Sequence, residues 1–121
     1  MISRFADALQ RGAPPTINGD GEQTRDFIAL ADVARANALA ATKPDVATAV
    51  FNLCTGHATS LNLLLKTMAA ELKSDIRPLY GAARAGDIRH SLGNPARVQR
   101  VLGFRAEHDL ASGLRKLFRS E

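Results

Sequence analysis

The sequence predicts a mixed α/β fold of five helices and four or five short strands, in a single domain that spans residues 1–121. Three observations support this prediction: apolar residues recur at helical spacing in five stretches, short apolar runs lie between them, and Gly, Pro, Asn and Asp separate the two kinds of segment. A chain of 121 residues is long enough for one hydrophobic core and too short for two.

Five helices are predicted from apolar faces and capping residues. The clearest carries a stripe that runs from Leu61 to Leu72, with Thr59 or Ser60 as its N-cap. Asp32, Asn94 and Asp109 are the predicted N-caps of the second, fourth and fifth helices, Gly103 ends the fourth, and Lys43-Pro44-Asp45 forms the loop after the second. The five apolar faces are Ile2, Phe5, Ala6 and Leu9; Val33, Ala36 and Ala40; Leu61, Leu64, Leu65, Met68 and Leu72; Val98, Val101 and Leu102; and Leu110, Leu114, Leu117 and Phe118.

Short apolar or β-branched runs predict the strands. The candidates are residues 16–18, 27–30, 50–53, 76–80 and 88–92. Because strands that alternate with helices are typical of α/β and α+β proteins, these runs complete the predicted fold class.

The charge of the chain is unevenly distributed. The net charge of +4 comes from residues 84–121, which hold eight basic and four acidic side chains, whereas residues 1–83 hold eight of each. Such a segment can bind nucleic acid or a phosphorylated small molecule, or can simply be a solvated surface. An aromatic content of 5% and the dispersal of the arginines argue against nucleic acid.

The sequence shows no sign of secretion or of a membrane span. Its one cysteine, Cys54, cannot form an internal disulfide, and no apolar stretch approaches the roughly 20 residues of a spanning helix. We therefore expect a cytoplasmic protein that does not enter a membrane.

The sequence contains no motif of a complete cofactor or metal site. Gly19-Asp20-Gly21 lacks the third glycine and the following helix of a dinucleotide-binding loop, and no Gly-Lys-Ser/Thr of a P-loop occurs. Cys54-x-x-His57 offers two zinc ligands where a structural site needs four. We expect His57, His90 and His108 to be surface or turn residues, and no metal to bind.

Four groups of segments, in order across nearly the whole chain, share the pattern of one family. They are Phe5-Ala6-Asp7-Ala8-Leu9 with residues 14–27 and Asp32-Val33-Ala34-Arg35-Ala36; Val50-Phe51-Asn52-Leu53-Cys54-Thr55-Gly56 with Ser60-Leu61; Arg84-Ala85-Gly86-Asp87-Ile88-Arg89; and Leu102-Gly103-Phe104 with Leu110-Ala111-Ser112-Gly113-Leu114. This set resembles the C-terminal, substrate-binding portion of the NAD-dependent epimerase/dehydratases, the extended short-chain dehydrogenases that act on nucleotide sugars, such as UDP-glucose 4-epimerase.

The resemblance implies that the chain lacks the catalytic machinery of that family. The family carries its Gly-rich NAD loop and its catalytic Tyr-x-x-x-Lys in an N-terminal Rossmann domain, and neither pattern occurs here. The single tyrosine, Tyr80, is followed four residues later by Arg84 rather than by lysine. We expect no bound NAD and no catalysis by this chain alone, because proton transfer and hydride transfer both need the missing groups.

The resemblance also implies a set of substrate-binding residues. By position in the family motifs, Arg25 and Arg84 would contact the nucleotide diphosphate, and Asp87 would orient neighbouring donors. Ile17 and Asn18 would lie on the side of the nucleotide base. Guanidinium groups suit this role because they bind phosphate oxygens with two parallel hydrogen bonds.

Three positions depart from the family pattern. Asn18 replaces an aromatic residue and Ala29 replaces a Tyr or His, which removes stacking or hydrogen-bonding surface. Cys54 replaces a Gly or Ala, and we expect it to be a small buried residue rather than a reactive thiol.

The alternative function is a small oligomeric interaction module, or a protein that binds an anionic partner such as nucleic acid with the same fold. The sequence leaves open which nucleotide sugar would bind, and whether the chain is a short gene product, a gene remnant or a fragment. The resemblance also implies a homo-oligomer. In the family, the strand at residues 50–53 and the helix at residues 32–41 lie close to the Rossmann domain, so without that domain a strand edge and apolar faces would be exposed.

Overall fold

The computed structural model describes residues 1–43, 46 and 49–119. Those residues form five α-helices and four short β-strands, a mixed α/β architecture that confirms the predicted fold class. In chain order the elements are α1 (Ile2–Gln10), β1 (Thr16–Asn18), β2 (Thr24–Arg25), α2 (Leu30–Thr42), β3 (Thr59–Ser60), α3 (Leu61–Glu71), β4 (Leu79–Gly81), α4 (Ala96–Leu102) and α5 (Leu110–Arg119).

The four strands form two separate pairs. β1 and β4 are parallel, with Thr16 opposite Leu79, whereas β2 and β3 are antiparallel, with Thr24 opposite Ser60. Thr24 also bridges His90, which joins the segment after β4 to β2. These pairings bring the loop between β1 and β2 close to the segment that follows β4.

Two hydrophobic clusters stabilise the described part of the chain. The first joins α1, β1, α3 and α5, and the second joins α2, α4 and the segment after α4. The buried residues of the first are Phe5, Leu9, Ile17, Leu61, Leu64, Leu65, Met68 and Leu114, and those of the second are Ala36, Val98, Leu102 and Phe104. Burial of this apolar surface is the main force that holds the helices together.

Most of the predicted helix ends are confirmed. The Ser60 hydroxyl accepts a hydrogen bond from Leu63 N at 3.2 Å, and the Asp109 carboxylate accepts one from Ser112 N at 2.7 Å. Gly103 ends α4 with a left-handed φ of 69°, as its position predicts. Helix α4 begins one residue later than expected, with Pro95 at the N-cap, although Asn94 Oδ1 still accepts from Ala96 N.

The prediction of Asp32 as an N-cap is wrong. Helix α2 begins at Leu30 after Ala29, which is its N-cap, and Asp32 lies in the first turn with its side chain buried. Of the loop predicted at residues 43–45, residues 44 and 45 lie outside the described residues.

Several strand predictions are wrong or shortened. Residues 27–29 form no strand, and Leu30 is the first residue of α2. The apolar side chains of Phe27 and Ile28 pack against the first and the second cluster instead. In the described part of the chain, residues 50–53 pair with no strand, and Phe51 and Leu53 pack against the second cluster instead. The run at 76–80 forms only β4, and the run at 88–92 contributes only the bridge at His90.

None of the helices in the described ranges is long and apolar enough to cross a membrane.

Candidate functional site

The antiparallel pair β2–β3 places Arg25 beside the segment that follows β4. Arg25 Nη2 donates a hydrogen bond to Asp87 Oδ1 at 3.1 Å, and its Nη1 donates to the carbonyl oxygen of Thr24 at 2.8 Å. The side chain of Arg25 is only 22% exposed. These two bonds fix the guanidinium plane and use two of its five N–H donors, so it can still bind an anion.

Arg84 and Asp87 lie at the two ends of one turn. Asp87 N donates to Arg84 O at 3.2 Å, and Gly86 adopts a φ of 80°, which a glycine supplies without steric cost. The turn therefore holds a cation and an anion close together, next to Arg25.

A small cavity of about 220 Å³ lies between α1, β1 and this turn. It is lined by Met1, Arg4, Phe5, Thr16, Ile17, Asn18, Gln23, Leu61, Arg84 and Asp87. Four of the five site residues predicted from the sequence, Ile17, Asn18, Arg84 and Asp87, thus line one cavity. The fifth, Arg25, does not line it but binds Asp87, which does.

Six of the ten lining residues were not predicted as site residues, among them Arg4 and Gln23. Arg4 sits on α1 next to the buried Phe5, and a lone arginine beside an apolar helix face resembles an ordinary solvated residue. Gln23 is buried at the end of the loop between β1 and β2.

The cavity is positively charged. Among the described residues, Arg4 and Arg84 form no ion pair, whereas Asp87, its one acidic lining residue, is paired with Arg25. Unpaired guanidinium groups around a concave surface attract anions through both charge and N–H donors.

The loop between β1 and β2 is fixed by an ion pair. Arg89 donates to both carboxylate oxygens of Asp20, with Nη1–Oδ1 and Nη2–Oδ2 distances of 2.7 and 2.9 Å. The hydrogen bond from Arg89, and a further one from Glu22 N, lower the pKa of Asp20 to about 2. The pair joins the loop to the segment after β4.

Asn62, in the first turn of α3, forms hydrogen bonds to the same loop. Its Nδ2 donates to Asp20 O and Glu22 Oε1, and its Oδ1 accepts from the hydroxyl of Tyr80 at 2.9 Å. The fit is close, since a Cβ at Gly21 would lie 2.1 Å from Asn62 Oδ1. Tyr80, the one tyrosine of the chain, is thus engaged in holding this loop.

A larger cavity of about 520 Å³ lies between the irregular segment at Phe27, the turn at Thr55 and the chain that leads into α5. Phe27, Phe104 and Leu110 supply much of its lining, and Arg105 is its one Arg or Lys among the lining residues described. The smaller cavity therefore suits an anion better.

Two carboxylates bind residues that form the wall of this larger cavity. Asp26 accepts hydrogen bonds from Thr55 N, Thr55 Oγ1 and Gly56 N, at 2.9, 2.5 and 2.8 Å. Burial opposes ionisation of Asp26, but these bonds outweigh it and lower its pKa. Asp32 holds the other side, where His108 Nδ1 lies 3.1 Å from its Oδ2.

Cys54 is packed in the interior and two of the three histidines are on the surface, whereas His108 lies against the buried Asp32. Cys54 is buried, and burial together with the nearby Asp26 raises the pKa of its thiol, in line with a packed residue rather than a reactive one. His57 and His90 are exposed, and His108 is half-buried. Over the part of the chain that the structure describes, no three His, Cys, Asp or Glu residues are grouped to hold a metal ion.

Comparison with known proteins identifies relatives of the whole chain. The model of the NAD dependent epimerase/dehydratase family matches residues 1–54. A UDP-glucose 4-epimerase from Mycolicibacterium smegmatis is 33% identical over 116 residues, which are 96% of this chain and 37% of that protein. The chain is similar to one portion of a UDP-sugar epimerase.

Two further comparisons agree with this result. The crystal structure of UDP-glucose 4-epimerase from Thermotoga maritima with UDP-glucose superposes with a TM-score of 0.87 at 35% identity, over 98% of this chain and 39% of that one. A dTDP-L-rhamnose 4-epimerase from Burkholderia thailandensis is 31% identical over 98 residues, 81% of this chain and 27% of that protein. The chain thus spans well under half the length of these relatives, and the matches give no support to the alternative of an interaction module or a nucleic-acid-binding protein.

Proposed function

We propose that this epimerase-like chain binds the diphosphate of a sugar nucleotide through Arg25 and Arg84, and that it catalyses no reaction by itself. The observation that carries the proposal is the turn at residues 84–87, which places Arg84 on the cavity and Asp87 against Arg25. Two guanidinium groups from different loops can hold one phosphate-bearing group between them.

The size of the cavity agrees with partial occupation by such a ligand. At about 220 Å³ it is smaller than the 300–1,000 Å³ of typical ligand pockets, so it suits one end of a sugar nucleotide rather than the whole molecule. Ile17 and Asn18 lie on the same cavity and would face the base. Relatives named for UDP- and dTDP-sugars favour uracil or thymine as that base.

The absence of catalysis is proposed from the sequence. No Tyr-x-x-x-Lys pair and no Gly-rich dinucleotide loop occur in the 121 residues, and we propose no NAD site for this chain. The hydroxyl of Tyr80 donates to Asn62 and supports the loop between β1 and β2. A side chain with that role is poorly suited to be a proton-transfer catalyst.

Replacing either arginine should weaken binding of UDP. Because a hydrogen bond to a charged group contributes about 1.5–3 kcal/mol, we expect the dissociation constant to rise about 10-fold or more for Arg25→Ala and for Arg84→Ala, and further for the double variant. Titration calorimetry with UDP and with inorganic pyrophosphate measures both effects.

Arg100→Ala is the matched control for these variants. Arg100 is an exposed arginine on α4 that does not line the cavity, so this variant removes the same charge elsewhere. Equal weakening by all three substitutions would show a non-specific charge effect and would contradict the proposed site. Saturable NAD binding, or epimerase turnover by the purified chain, would contradict the proposal that it is not an enzyme.

We also propose that the chain self-associates. Residues 50–53 are described but do not form the strand whose edge was expected to be exposed. Leu30 and Val50, however, are 78% and 80% exposed, more than the other large apolar side chains described. Such residues on a small protein favour contact with a second copy. Within the described ranges β4 pairs only with β1, so its other edge is open, and its residues are all exposed, which adds to that tendency.

A double substitution of Leu30→Asp and Val50→Asp should shift the chain towards the monomer. Two charges on the contact surface cost desolvation energy, so we expect the average mass at micromolar concentration to fall towards 13 kDa. Light scattering coupled to gel filtration measures that mass. Leu117→Asp, at an exposed position on α5, should leave it unchanged, and a wild-type monomer across a dilution series would refute self-association.

A further inference from the structure

The outer edge of β4 carries backbone hydrogen-bonding groups that no strand in the described ranges uses. Leu79 N donates to Pro15 O at 2.9 Å, and Gly81 O accepts from Gly19 N at 3.0 Å, so these two residues of β4 face β1. Because the backbone groups of successive strand residues point to opposite sides, the N–H and C=O of Tyr80 point away from β1. Both groups can therefore pair with an incoming strand.

An open groove of about 400 Å³, here called the edge groove, lies between α3 and the segment that leads into β4. Tyr80 is opposite the buried Ile17 in the β1–β4 pair, and its hydroxyl donates to Asn62 Oδ1 at 2.9 Å, so its ring lies on the face that packs against α3. A strand paired with β4 would place the side chain opposite Tyr80 on this same face, at the groove. The apolar lining there comes from Leu65, Ala69, Ile76, Pro78 and Tyr80.

The charged residues that line the edge groove carry a net positive charge. Lys66 of α3 and Arg77 before β4 are exposed, and Asp75 is the one acidic lining residue described. Within the described part of the chain, none of the three forms an ion pair. Exposed charges beside a strand edge discourage strands of like charge and attract strands of opposite charge. The edge groove therefore suits an acidic partner.

We propose that the outer edge of β4 and the edge groove bind an extended, acidic segment of another protein as an added β-strand. Tyr80 would pair with its backbone, an apolar side chain of the segment would enter the groove, and its acidic residues would face Lys66 and Arg77. Such strand addition takes its affinity from main-chain hydrogen bonds and its specificity from side-chain pockets. The proposal does not depend on nucleotide binding, since neither Lys66 nor Arg77 lines the 220 Å³ cavity.

Fluorescence anisotropy with labelled peptides tests the charge of the partner. The probe is acetyl-Asp-Glu-Val-Thr-Val-Glu-Asp, and a counterpart with lysine at the four acidic positions keeps the same apolar residues. We expect saturable binding of the acidic peptide and about 10-fold or more weaker binding of the basic one, because several favourable charge contacts become repulsive. Equal binding of the two peptides, or no saturable binding of the acidic one, would overturn the proposal.

N-methylated forms of the acidic peptide test the backbone pairing. An added strand directs alternate N–H groups towards β4, so methylation of both valine nitrogens and methylation of the threonine nitrogen modify opposite edges of the peptide. We expect one form to bind about 10-fold or more weakly, because a methyl group replaces a hydrogen bond between the strands, and the other to bind as the parent does. Equal effects of the two forms would exclude strand addition.

The variants Tyr80→Pro and Tyr80→Ala locate the pairing on β4. Proline removes the N–H that faces the open edge and leaves the bonds of Leu79 and Gly81 to β1, whereas alanine removes only the ring. We expect the acidic peptide to bind Tyr80→Pro about 5-fold or more weakly than Tyr80→Ala. Similar binding to the two variants would contradict the assigned edge. If Tyr80→Pro does not fold, the N-methylated peptides decide the same point on the unaltered chain.

Lys66→Ala and Arg77→Ala test the charges of the edge groove. Each should weaken binding of the acidic peptide about 2–5-fold, as for the loss of an exposed ion pair, and leave binding of UDP unchanged. Arg100→Ala, at an exposed position on α4 outside the groove, is the matched control and should change neither affinity. Equal weakening by all three would show non-specific attraction and overturn the proposal.

The same variants identify a second copy of the chain as a competing occupant. A lower mass of Tyr80→Pro than of Tyr80→Ala by light scattering, with no binding of the acidic peptide to the unaltered chain, would assign the edge to that copy and overturn the proposal. Binding of the acidic peptide without binding of UDP would support the proposal while contradicting the nucleotide site, so the two can fail separately.

Discussion

Asp32→Ala should lower the free energy of unfolding by about 3–5 kcal/mol, because it leaves buried partners of a charged group unpaired. The Asp32 side chain is fully buried, and its Oδ2 accepts hydrogen bonds from Glu107 N and His108 N at 3.2 and 3.1 Å. Its Oδ1 accepts from Arg35 Nη2 at 3.1 Å. One carboxylate thus joins α2 to the segment before α5.

Urea unfolding followed by circular dichroism measures this loss as a fall in the midpoint. Asp7→Ala is the control, because Asp7 forms an ion pair with Arg11 on the exposed face of α1, and exposed pairs contribute no more than about 1 kcal/mol. Similar midpoints for the Asp32 and Asp7 variants would show that the buried carboxylate contributes no more than an exposed one.

The pH dependence of stability gives the same expectation a second measurement. Burial alone would raise the pKa of Asp32, but hydrogen bonds from His108 N, Glu107 N and Arg35 outweigh it and lower that pKa from 3.8 to about 2. A lowered pKa in the folded chain stabilises it above the pKa of the unfolded chain, and that stabilisation is lost as the pH falls from about 4 towards 2. In Asp32→Asn, the decline over this range should be shallower than in the unaltered chain.

Local patterns predicted the helices well because their causes are local. The stripe on α3, the Ser60 cap and the Gly103 terminus each depend on residues within one or two turns of one another. The predictions that were wrong depended on distant neighbours. Residues 50–53 have strand-like composition, yet a strand needs a partner, and they pack against the second cluster instead.

Asp32 illustrates the same limit at a single residue. A short acidic side chain before an apolar helix pattern predicts an N-cap, and that is correct for Asp109. At Asp32 the decisive partners are the N–H groups of Glu107 and His108, 75 and 76 residues away. No local pattern contains that information.

The candidate site was predicted through resemblance rather than through local chemistry. Arg25, Arg84 and Asp87 belong to two short motifs that the fold brings together. Arg4 and Gln23 could not be predicted in this way, because their place on the cavity depends on how α1 packs over β1 and how the loop between β1 and β2 closes.

Phe104 is the largest fully buried side chain of the second cluster. It follows α4 and packs with Ala36 of α2 and with Val98 and Leu102 of α4. The guanidinium carbon of Arg35 lies 4.8 Å from the centre of its ring, within the range of a cation–π contact. One ring thus fills the space between two helices and supports the arginine that binds Asp32.

Phe104→Ala should therefore destabilise the chain by about 3–5 kcal/mol, because it removes buried apolar surface and leaves a cavity that the surrounding helices can only partly fill. Phe118→Ala, at a half-buried ring on α5, should cost about half as much. If Phe104→Ala does not fold, Phe104→Leu retains most of the volume and should lower the urea midpoint by a smaller, measurable amount. Equal midpoints for Phe104→Leu and the unaltered chain would show that this ring does not hold α2 against α4.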